Sequence, residues 1–285
     1  MAEDLGTGGT GKTAGAKPGF SLRRRLRYRG GETALRAPFI WWRHRGLRPS
    51  DVFIGAYPRS GYTWLRFLLF EIITGRSSQF REVDVAIPYV ARHAGAAVLL
   101  PNNGRLIATH ETYRREYKRA IYLARDVRDV AVSEFLRERA KGLVENFDQY
   151  LARFLAGEKR HGTWSDHVSS WLDSKTASEG KLHVIKYEDL HQRPVETIEG
   201  MIKFLGIEAN RERITAALAA NTVDQMRTKE DVSGVTFKGK GDDGRFVRKG
   251  TVAGWRDRLT KAQAESIETH SQAGLLRMGY PLSSW

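Results

Sequence analysis

The sequence contains no cysteine, which excludes disulfide bonds, cysteine nucleophiles and thiolate metal sites. It also lacks long apolar runs, since none approaches the roughly 20 residues that a bilayer-spanning helix requires. No apolar stretch typical of a signal peptide follows the N-terminus. Together these absences favour a reducing compartment, and we expect a cytoplasmic location.

Acidic residues are few relative to basic ones. The 285 residues include 33 Asp and Glu against 47 Lys and Arg, which gives a formal net charge of +14. The surplus predicts an anionic partner, for which a nucleotide, an acidic substrate, a membrane face and nucleic acid are the alternatives. A basic nucleic-acid-binding protein stays open as a class, but no recognised module supports it, so we expect no specific nucleic acid.

The N-terminal segment divides into two parts by composition. Residues 1–20 are rich in Gly, Thr, Ala and Lys and are predicted to be a disordered tail. Within this tail, Gly6 to Thr13 satisfies the phosphate-loop pattern GxxxxGK[ST], which requires a strand before it and a helix after it. Neither is present in the sequence pattern, so we attribute the match to composition. A P-loop kinase or ATPase that uses this segment is the alternative.

Residues 21–48 form a basic aromatic arm with nine arginines, among which stand Trp41 and Trp42. Arginine beside tryptophan at this density predicts an amphipathic segment that contacts an anionic membrane or an acidic acceptor. The alternative is a solvated arm whose aromatic side chains pack on the core. We therefore predict that the protein contacts membranes peripherally through this arm.

The segment from Asp51 to Phe70 is predicted to be a buried strand, a tight turn and a helix. Pro58 ends the strand because it has no N–H, and Gly61 permits a backbone conformation that a side chain would oppose. Such a turn directs free N–H groups and the positive end of a helix dipole at one point. Arg59, Ser60 and Thr63 add a cation and two hydroxyls, which favours a phosphate or sulfate site.

Three further strands are predicted to end in polar residues: 105–110 at His110, 119–125 at Arg125, and 181–190 through Tyr187. In open α/β sheets, the chemistry lies beyond the carboxyl ends of the strands. Between these elements, we expect a strand and then a loop at 83–90, and a long polar loop at 227–247.

Five segments resemble the PAPS-dependent sulfotransferases, a family that transfers a sulfuryl group from 3′-phosphoadenosine 5′-phosphosulfate (PAPS). The segments lie within residues 51–275 and follow the family order: YPRSGYTW (57–64), TH (109–110), RDVRDVAVS (125–133), YEDL (187–190) and RKGTVAGW (248–255). The resemblance implies an α/β fold, in which a single P-loop-like domain over residues 49–285 has a central parallel sheet flanked by helices. Its co-substrate would be PAPS, without a metal.

The resemblance also implies roles for individual residues. His110 would be the general base on the acceptor hydroxyl, and Arg59 would stabilise the leaving oxygen. Arg128 and Asp129, within the third segment, are expected to be solvated surface charges. Ala108 stands where the family usually has a lysine. The predicted donor-binding residues are Arg59, Ser60, Gly61, Tyr62, Thr63, Trp64, Arg125, Ser133, Tyr187, Arg248, Lys249 and Gly250.

The acceptor cannot be deduced from any motif, because the predicted pocket walls at 76–104 and 134–175 contain none. The basic surface favours an anionic hydroxyl acceptor such as an acidic glycan, a lipid-linked sugar or a decorated natural product. Residues 256–265 partly match a family dimer motif at Thr260 and Glu265, which predicts a homodimer.

Overall fold

The computed structural model describes residues 37–158, 161–233, 245, 247–248 and 250–283. The predicted tail, the Gly6 to Thr13 segment, most of the basic arm and Lys249 lie outside the described residues.

Five strands form one sheet in the order β2-β3-β1-β4-β5. β1 pairs in parallel with β3 and β4, and β4 pairs in parallel with β5. β2 pairs antiparallel with β3 at the edge, so the predicted parallel sheet is mostly rather than wholly parallel. The strands are β1 Val52–Ala56, β2 Val98–Leu100, β3 Gly104–Thr109, β4 Ala120–Ala124 and β5 Leu182–Lys186.

Helices cover both faces of the sheet. They are α1 Ala37–His44, α2 Tyr62–Thr74, α3 Phe80–Ala86, α4 Val127–Ala140, α5 Phe147–Leu155, α6 Trp164–Leu172, α7 Lys175–Ser178, α8 Tyr187–Gln192, α9 Pro194–Leu205, α10 Arg211–Ala220, α11 Val223–Ser233 and α12 Lys261–Arg277. The buried side chains of α2, α3, α9 and α10 form one apolar cluster with the sheet. Those of α4, α5, α6 and α12 form the other. This is the layered α/β arrangement that the sequence predicted.

β1 lies at the centre of the sheet because every one of its side chains can be buried. Phe53 and Ile54 are fully buried on opposite faces, as the alternation of side chains along a strand requires. At its start, the Asp51 carboxylate accepts hydrogen bonds from Arg105 Nε and Nη2 on β3 at 2.8 and 2.6 Å. This buried bidentate pair joins the two strands next to the Val52–Leu106 pairing.

Two predictions of local structure were wrong: the strand at the start of 83–90 and the first part of the loop at 227–247. Residues 83–86 belong to α3, in which Phe80, Val83 and Ala86 recur at helical spacing and are buried. The predicted loop at 227–247 begins with a helix, since α11 continues to Ser233. Most residues of α11 are polar, so the sequence pattern did not indicate a helix, although Met226, Lys229 and Glu230 are buried. Within the described residues, no helix is both long enough and apolar enough to cross a membrane.

Candidate active site

The carboxyl ends of four strands meet at one cavity of about 850 Å³. The loop after β1 carries Arg59, β3 is followed by His110, β4 by Arg125, and β5 by Tyr187. Parallel strands place their carboxyl ends at the same edge, so residues far apart in sequence become neighbours. The predicted residues that line the cavity are Arg59, Gly61, Tyr62, Thr63, Trp64, His110, Arg125, Ser133, Tyr187, Arg248 and Gly250.

The turn between β1 and α2 has an unusual backbone. Arg59 and Gly61 both have positive φ angles, 72° and 87°. A Cβ at position 61 would also collide with the ring of Tyr187, so glycine is required there for two reasons. The turn points the first N–H groups of α2 into the cavity edge, where a helix favours an anion. Ser60 is fully buried and does not line the cavity.

A hydrogen bond from Nδ1 to the backbone orients the His110 ring. Nδ1 lies 2.7 Å from the carbonyl oxygen of Ala56 and therefore carries the proton that it donates, which leaves a lone pair on Nε2. Burial lowers the pKa of His110 to about 4, and the positive charges of Arg66 and Arg59 add to this effect against the Ala56 hydrogen bond. The imidazole is therefore neutral at pH 7, with Nε2 available as a base.

Three guanidinium groups converge opposite His110. Arg59 Nε and Arg248 Nη2 both donate to the Ser133 hydroxyl, at 3.1 and 2.7 Å. Arg125 Nη1 donates to the Arg59 carbonyl at 3.1 Å. Burial lowers the pKa of Arg59 to about 10, and the charge of Arg248 contributes further. Cations held this close to one another form a site whose electrostatics favour a polyanionic ligand.

A slot of aromatic rings lies beside these cations. The Trp64 ring is 6.0 Å from that of Tyr187 and 5.0 Å from that of His191, between centroids. Trp64 Nε1 donates to the Asn221 carbonyl at 2.8 Å, and the Tyr187 hydroxyl donates to the Gly250 carbonyl at 2.9 Å. Aromatic rings of this kind offer π faces on which a purine base can stack.

Arg128 and Asp129 are not surface charges, and that prediction was wrong. They are only 2% and 4% exposed. Arg128 donates to Asp126 and Glu268, while Asp129 accepts the backbone N–H groups of Ala253 and Trp255 at 2.9 Å each. A charged pair in a motif looks solvated when only its neighbours in sequence are considered. Here Glu268, Ala253 and Trp255 lie more than 120 residues from Arg128 and Asp129, and Asp129 holds the backbone of the segment that follows Gly250.

Several cavity residues were not predicted from the sequence. Tyr89, which was not named although it lies in the predicted wall at 76–104, joins the predicted Tyr62 and His110 in a ring cluster with centroid separations of 4.8 to 5.5 Å. Glu134 and Arg137 line the cavity from α4, and their charged atoms are 3.5 Å apart. Arg137 falls four residues after Ser133, so the helical period could have placed it on the Ser133 side of α4, with Glu134 three residues before it.

Position 108 supplies no charge, because it is an alanine, which is fully buried within β3. The cations whose charges lower the pKa of His110 are instead Arg66, Arg59 and Arg137. Arg66 is 2% exposed, and its Nη2 donates to Asp84 Oδ1 at 2.8 Å and to the Val83 carbonyl at 3.0 Å. Positive charge therefore reaches the region of His110 from α2 and α4 rather than from β3.

The site residues fit an organic polyanion better than a metal. Among the residues that the structure describes, no group of three or more His, Asp or Glu side chains could hold a metal ion. The cavity combines guanidinium groups, a helix N-terminus, an aromatic slot and a neutral histidine. This set suits a nucleotide with two anionic ends and a second substrate next to His110.

Comparison with known proteins identifies the class. A family model described as the sulfotransferase domain matches residues 49–279. The chain therefore belongs to the sulfotransferase family, and its class is that of enzymes that transfer sulfuryl groups.

Among individual relatives, the chain is 29% identical over 239 residues to sulfotransferase 2B1 of Homo sapiens. That match covers 78% of this chain but 65% of the human protein, slightly less than two thirds of its length. It is 28% identical over 243 residues to sulfotransferase 1 family member D1 of Rattus norvegicus, covering 78% of this chain and 82% of the rat protein.

The fold is similar to that of solved sulfotransferase structures. One is retinol dehydratase in complex with androsterone and the inactive cofactor PAP, with a TM-score of 0.67 and 22% identity over 82% of this chain and 83% of that one. Another is mouse sulfotransferase SULT7A1 complexed with PAP, with a TM-score of 0.61 and 23% identity over 80% of this chain and 84% of that one. At these identities the likeness concerns the fold.

Proposed function

We propose that the protein transfers a sulfuryl group from PAPS to a hydroxyl group of an acceptor, with His110 as the general base. The observation that carries the proposal is the arrangement of one cavity. A neutral histidine, with its lone pair on Nε2, lies in the same cavity as Arg59, Arg125 and Arg248. The membership of the chain in the sulfotransferase family supports the reaction type.

The donor would be held at both ends. Ser133, Arg125 and Arg248, together with the Gly250 backbone, are proposed to bind the 3′-phosphate, because bidentate guanidinium groups match phosphate oxygens. Lys249 is proposed to act with them and lies outside the described residues. Trp64 and Tyr187 would enclose the adenine.

The loop after β1 would hold the 5′-phosphosulfate through the N–H groups at the start of α2 and the hydroxyl of Thr63, which lines the cavity, whereas the predicted Ser60 hydroxyl is buried beneath the loop. The backbone of Gly61 and Tyr62 belongs to this loop, and its positive φ angle at position 61 turns the N–H groups in one direction. Arg59 is proposed to face the oxygen that leaves with the phosphate. A preorganised cation stabilises the negative charge that develops there.

The transfer is an in-line displacement at sulfur. The acceptor oxygen forms a bond to sulfur while the bond between sulfur and the 5′-phosphate oxygen breaks, and that oxygen takes the electron pair. The acceptor proton moves to Nε2 of His110. A positioned base of this kind contributes about 10²–10⁴-fold to the rate.

The substitution His110→Ala tests the proposal. We expect turnover of PAPS with an acceptor to fall by about 10²-fold or more, because the proton then lacks a positioned base. The affinity for 3′,5′-diphosphoadenosine should change little, since His110 is not among the proposed donor-binding residues. His270→Ala is the matched control, because His270 is an exposed histidine on α12. Turnover close to that of the unsubstituted enzyme would remove His110 from this role.

The acceptor is proposed to be a polar hydroxyl compound of the glycan, lipid-linked or natural-product type. The part of the cavity that would bind the acceptor combines the rings of Tyr62, Tyr89 and Phe154 with the charged side chains of Glu134 and Arg137. Aromatic faces pack against carbon skeletons, and charged groups hydrogen-bond to polar substituents. Incubating the protein with ³⁵S-labelled PAPS and pools of glycans, lipid-linked sugars and phenolic natural products would identify the acceptor class.

We also propose a cytoplasmic protein that contacts anionic membranes through its basic arm. In the described part of the arm, Phe39, Trp41 and Trp42 on α1 are 54%, 66% and 56% exposed. Exposed Arg45 and Arg48 follow them. Exposed aromatic rings beside arginines are typical of segments that lie at a lipid interface.

Vesicle binding tests this contact. Trp41→Ser with Trp42→Ser should reduce co-sedimentation with phosphatidylserine vesicles, whereas Leu276→Ser, at a 57% exposed position on α12, should not. Equal binding by all three proteins would contradict the membrane contact.

The homodimer through 256–265 stays a prediction. Thr260 caps α12 through Gln263 in the monomer, and light scattering measures the oligomeric state.

A further inference from the structure

Tyr89 occupies a fixed position relative to His110. The backbone around Tyr89 bonds to β3 on both sides of Ala108: Val90 N–H donates to the Ala108 carbonyl at 2.9 Å, and Ala108 N–H donates to the Pro88 carbonyl at 2.9 Å. Ala108 is two residues before His110 on the same chain segment. Tyr89 and His110 therefore share one rigid frame, although no strand or helix contains Tyr89.

The Tyr89 hydroxyl lies 3.4 Å from Nε2 of His110, and the two ring centroids are 5.5 Å apart. Since Nδ1 of His110 donates to Ala56, Nε2 is an acceptor, and the tyrosine hydroxyl must be the donor. Although Tyr89 is 36% exposed, desolvation raises the pKa of its phenol, so the hydroxyl keeps its proton at pH 7. The Tyr89 hydroxyl therefore lies directly beside Nε2 of His110, the atom proposed to act as the base.

A buried cation stands behind the two tyrosine rings of the cluster. The guanidinium carbon of Arg66 is 5.3 Å from the Tyr62 ring centroid and 5.6 Å from that of Tyr89. Arg66 is held there by Asp84, so its charge does not move with the substrate. Positive charge near a phenol ring polarises the O–H bond and makes it a better donor.

We propose that Tyr89 is a second catalytic residue, whose hydroxyl donates a hydrogen bond to the acceptor oxygen beside His110. The inference rests on the sulfuryl transfer proposed above. The acceptor hydroxyl donates its proton to Nε2 of His110. The Tyr89 hydroxyl, which donates to Nε2 in this structure, turns from Nε2 to donate to one lone pair of the acceptor oxygen, and the other lone pair is thereby directed at sulfur. Tyr89 keeps its proton throughout, and Arg66 acts as a positioning residue behind the ring.

Such an arrangement places the oxygen before the reaction begins. An alcohol oxygen that is held by a single hydrogen bond can rotate about it, whereas two bonds fix the direction of the remaining lone pair. Orientation of this kind lowers the barrier through entropy and acts on the acceptor rather than on the donor. The kinetic effect should therefore appear in the acceptor parameters alone.

The test is Tyr89→Phe, which removes one oxygen and keeps the ring contacts with Tyr62 and His110. With PAPS and 2-naphthol as the hydroxyl probe, we expect kcat/KM for the acceptor to fall about tenfold, the size of one net hydrogen bond. The KM for PAPS and the affinity for 3′,5′-diphosphoadenosine should change less than twofold. Tyr113→Phe is the matched control, because Tyr113 is part-buried outside the cavity. Unchanged acceptor kinetics in Tyr89→Phe would overturn the inference.

A second measurement does not depend on turnover. The ¹⁵N shift of Nε2 in His110 should change in Tyr89→Phe and not in Tyr113→Phe, because Tyr89 donates to that nitrogen, whereas Tyr113 lies outside the cavity. An identical shift in all three proteins would overturn the Tyr89 contact. Failure of the proposed function looks different: the unsubstituted enzyme and His110→Ala would then show the same PAPS turnover, whatever residue stands at position 89.

Discussion

His167 should make the stability of this protein depend on pH in a way that one substitution removes. The side chain is fully buried on α6. Its Nε2 lies 3.2 Å from the His110 carbonyl oxygen, and its Nδ1 lies 2.9 Å from the Tyr122 hydroxyl. Tyr122 donates to Nδ1, and Nε2–H donates to His110, so the neutral tautomer is satisfied at both nitrogens. A second proton would have no acceptor.

Burial lowers the pKa of His167 from its ordinary value of 6.5 to about 3, with a smaller contribution from His110. The folded protein therefore binds fewer protons here than the unfolded chain at any pH between these values. The stabilising contribution is fully present above pH 6.5 and decreases as the pH falls toward 3. Each pH unit well inside this window costs about 1.4 kcal/mol of unfolding free energy, and the loss from pH 6.5 to 4.5 is about 2.3 kcal/mol because the unfolded histidine is half protonated at pH 6.5.

His167→Gln is the informative variant, because glutamine can donate to the His110 carbonyl and accept from Tyr122 without titrating. Urea unfolding at several pH values between 7 and 4.5 measures the free energy of unfolding. The variant loses ring contacts with Tyr57, which lowers its stability by the same amount at every pH. Its slope against pH should be shallower than that of the unsubstituted protein by about 1.4 kcal/mol per unit. Parallel slopes would refute the reasoning.

Three further predictions concern the donor site and its support. Gly61→Ala should lower the affinity for 3′,5′-diphosphoadenosine more than tenfold, because φ is 87° and a methyl group would displace Tyr187; calorimetry measures it, and unchanged affinity would contradict the geometry. Arg125→Ala should raise the KM for PAPS about 10- to 100-fold through lost charged hydrogen bonds, with kcat less affected; an unchanged KM would exclude it from the donor site. Lys229→Met should cost about 3–5 kcal/mol in urea unfolding, because it leaves the buried Glu71 carboxylate, now 2.7 Å from Lys229 Nζ, without its cation; a loss below about 1 kcal/mol would show that Glu71 finds another partner.

The Glu71–Lys229 pair also explains how a polar helix supports the aromatic slot. Lys229 Nζ donates to Glu71 and to the Asn221 side chain, which itself donates to Glu71 at 2.6 Å. The Asn221 carbonyl then accepts Trp64 Nε1. This network joins α11 to α2, and it therefore holds the Trp64 ring at the edge of the aromatic slot. No motif in the sequence indicates it, because Glu71 is 150 residues from Asn221 and 158 from Lys229.

Much of the site could be predicted because backbone chemistry is local. Gly61 at the turn, the apolar run of β1 and the helical spacing after it predict a strand, a turn and an anion-binding helix N-terminus from about twenty consecutive residues. The strand before His110 was likewise predicted correctly. Gly206 ends α9 with φ of 72°, a left-handed conformation that glycine adopts without steric cost. Such features depend on the steric limits of neighbouring residues, which any fold must respect.

What the amino-acid sequence determined by itself is the succession of strand, turn and helix from β1 to α2 and the strands that precede His110, Arg125 and Tyr187. What only the tertiary structure decided is which side chains meet across the cavity. Tyr89 beside His110, Asp129 beneath the 253–255 backbone and Arg66 behind the tyrosine rings depend on packing between elements that are distant in sequence. The physical reason is that a local pattern specifies a backbone conformation, whereas burial and charge pairing depend on the whole three-dimensional arrangement.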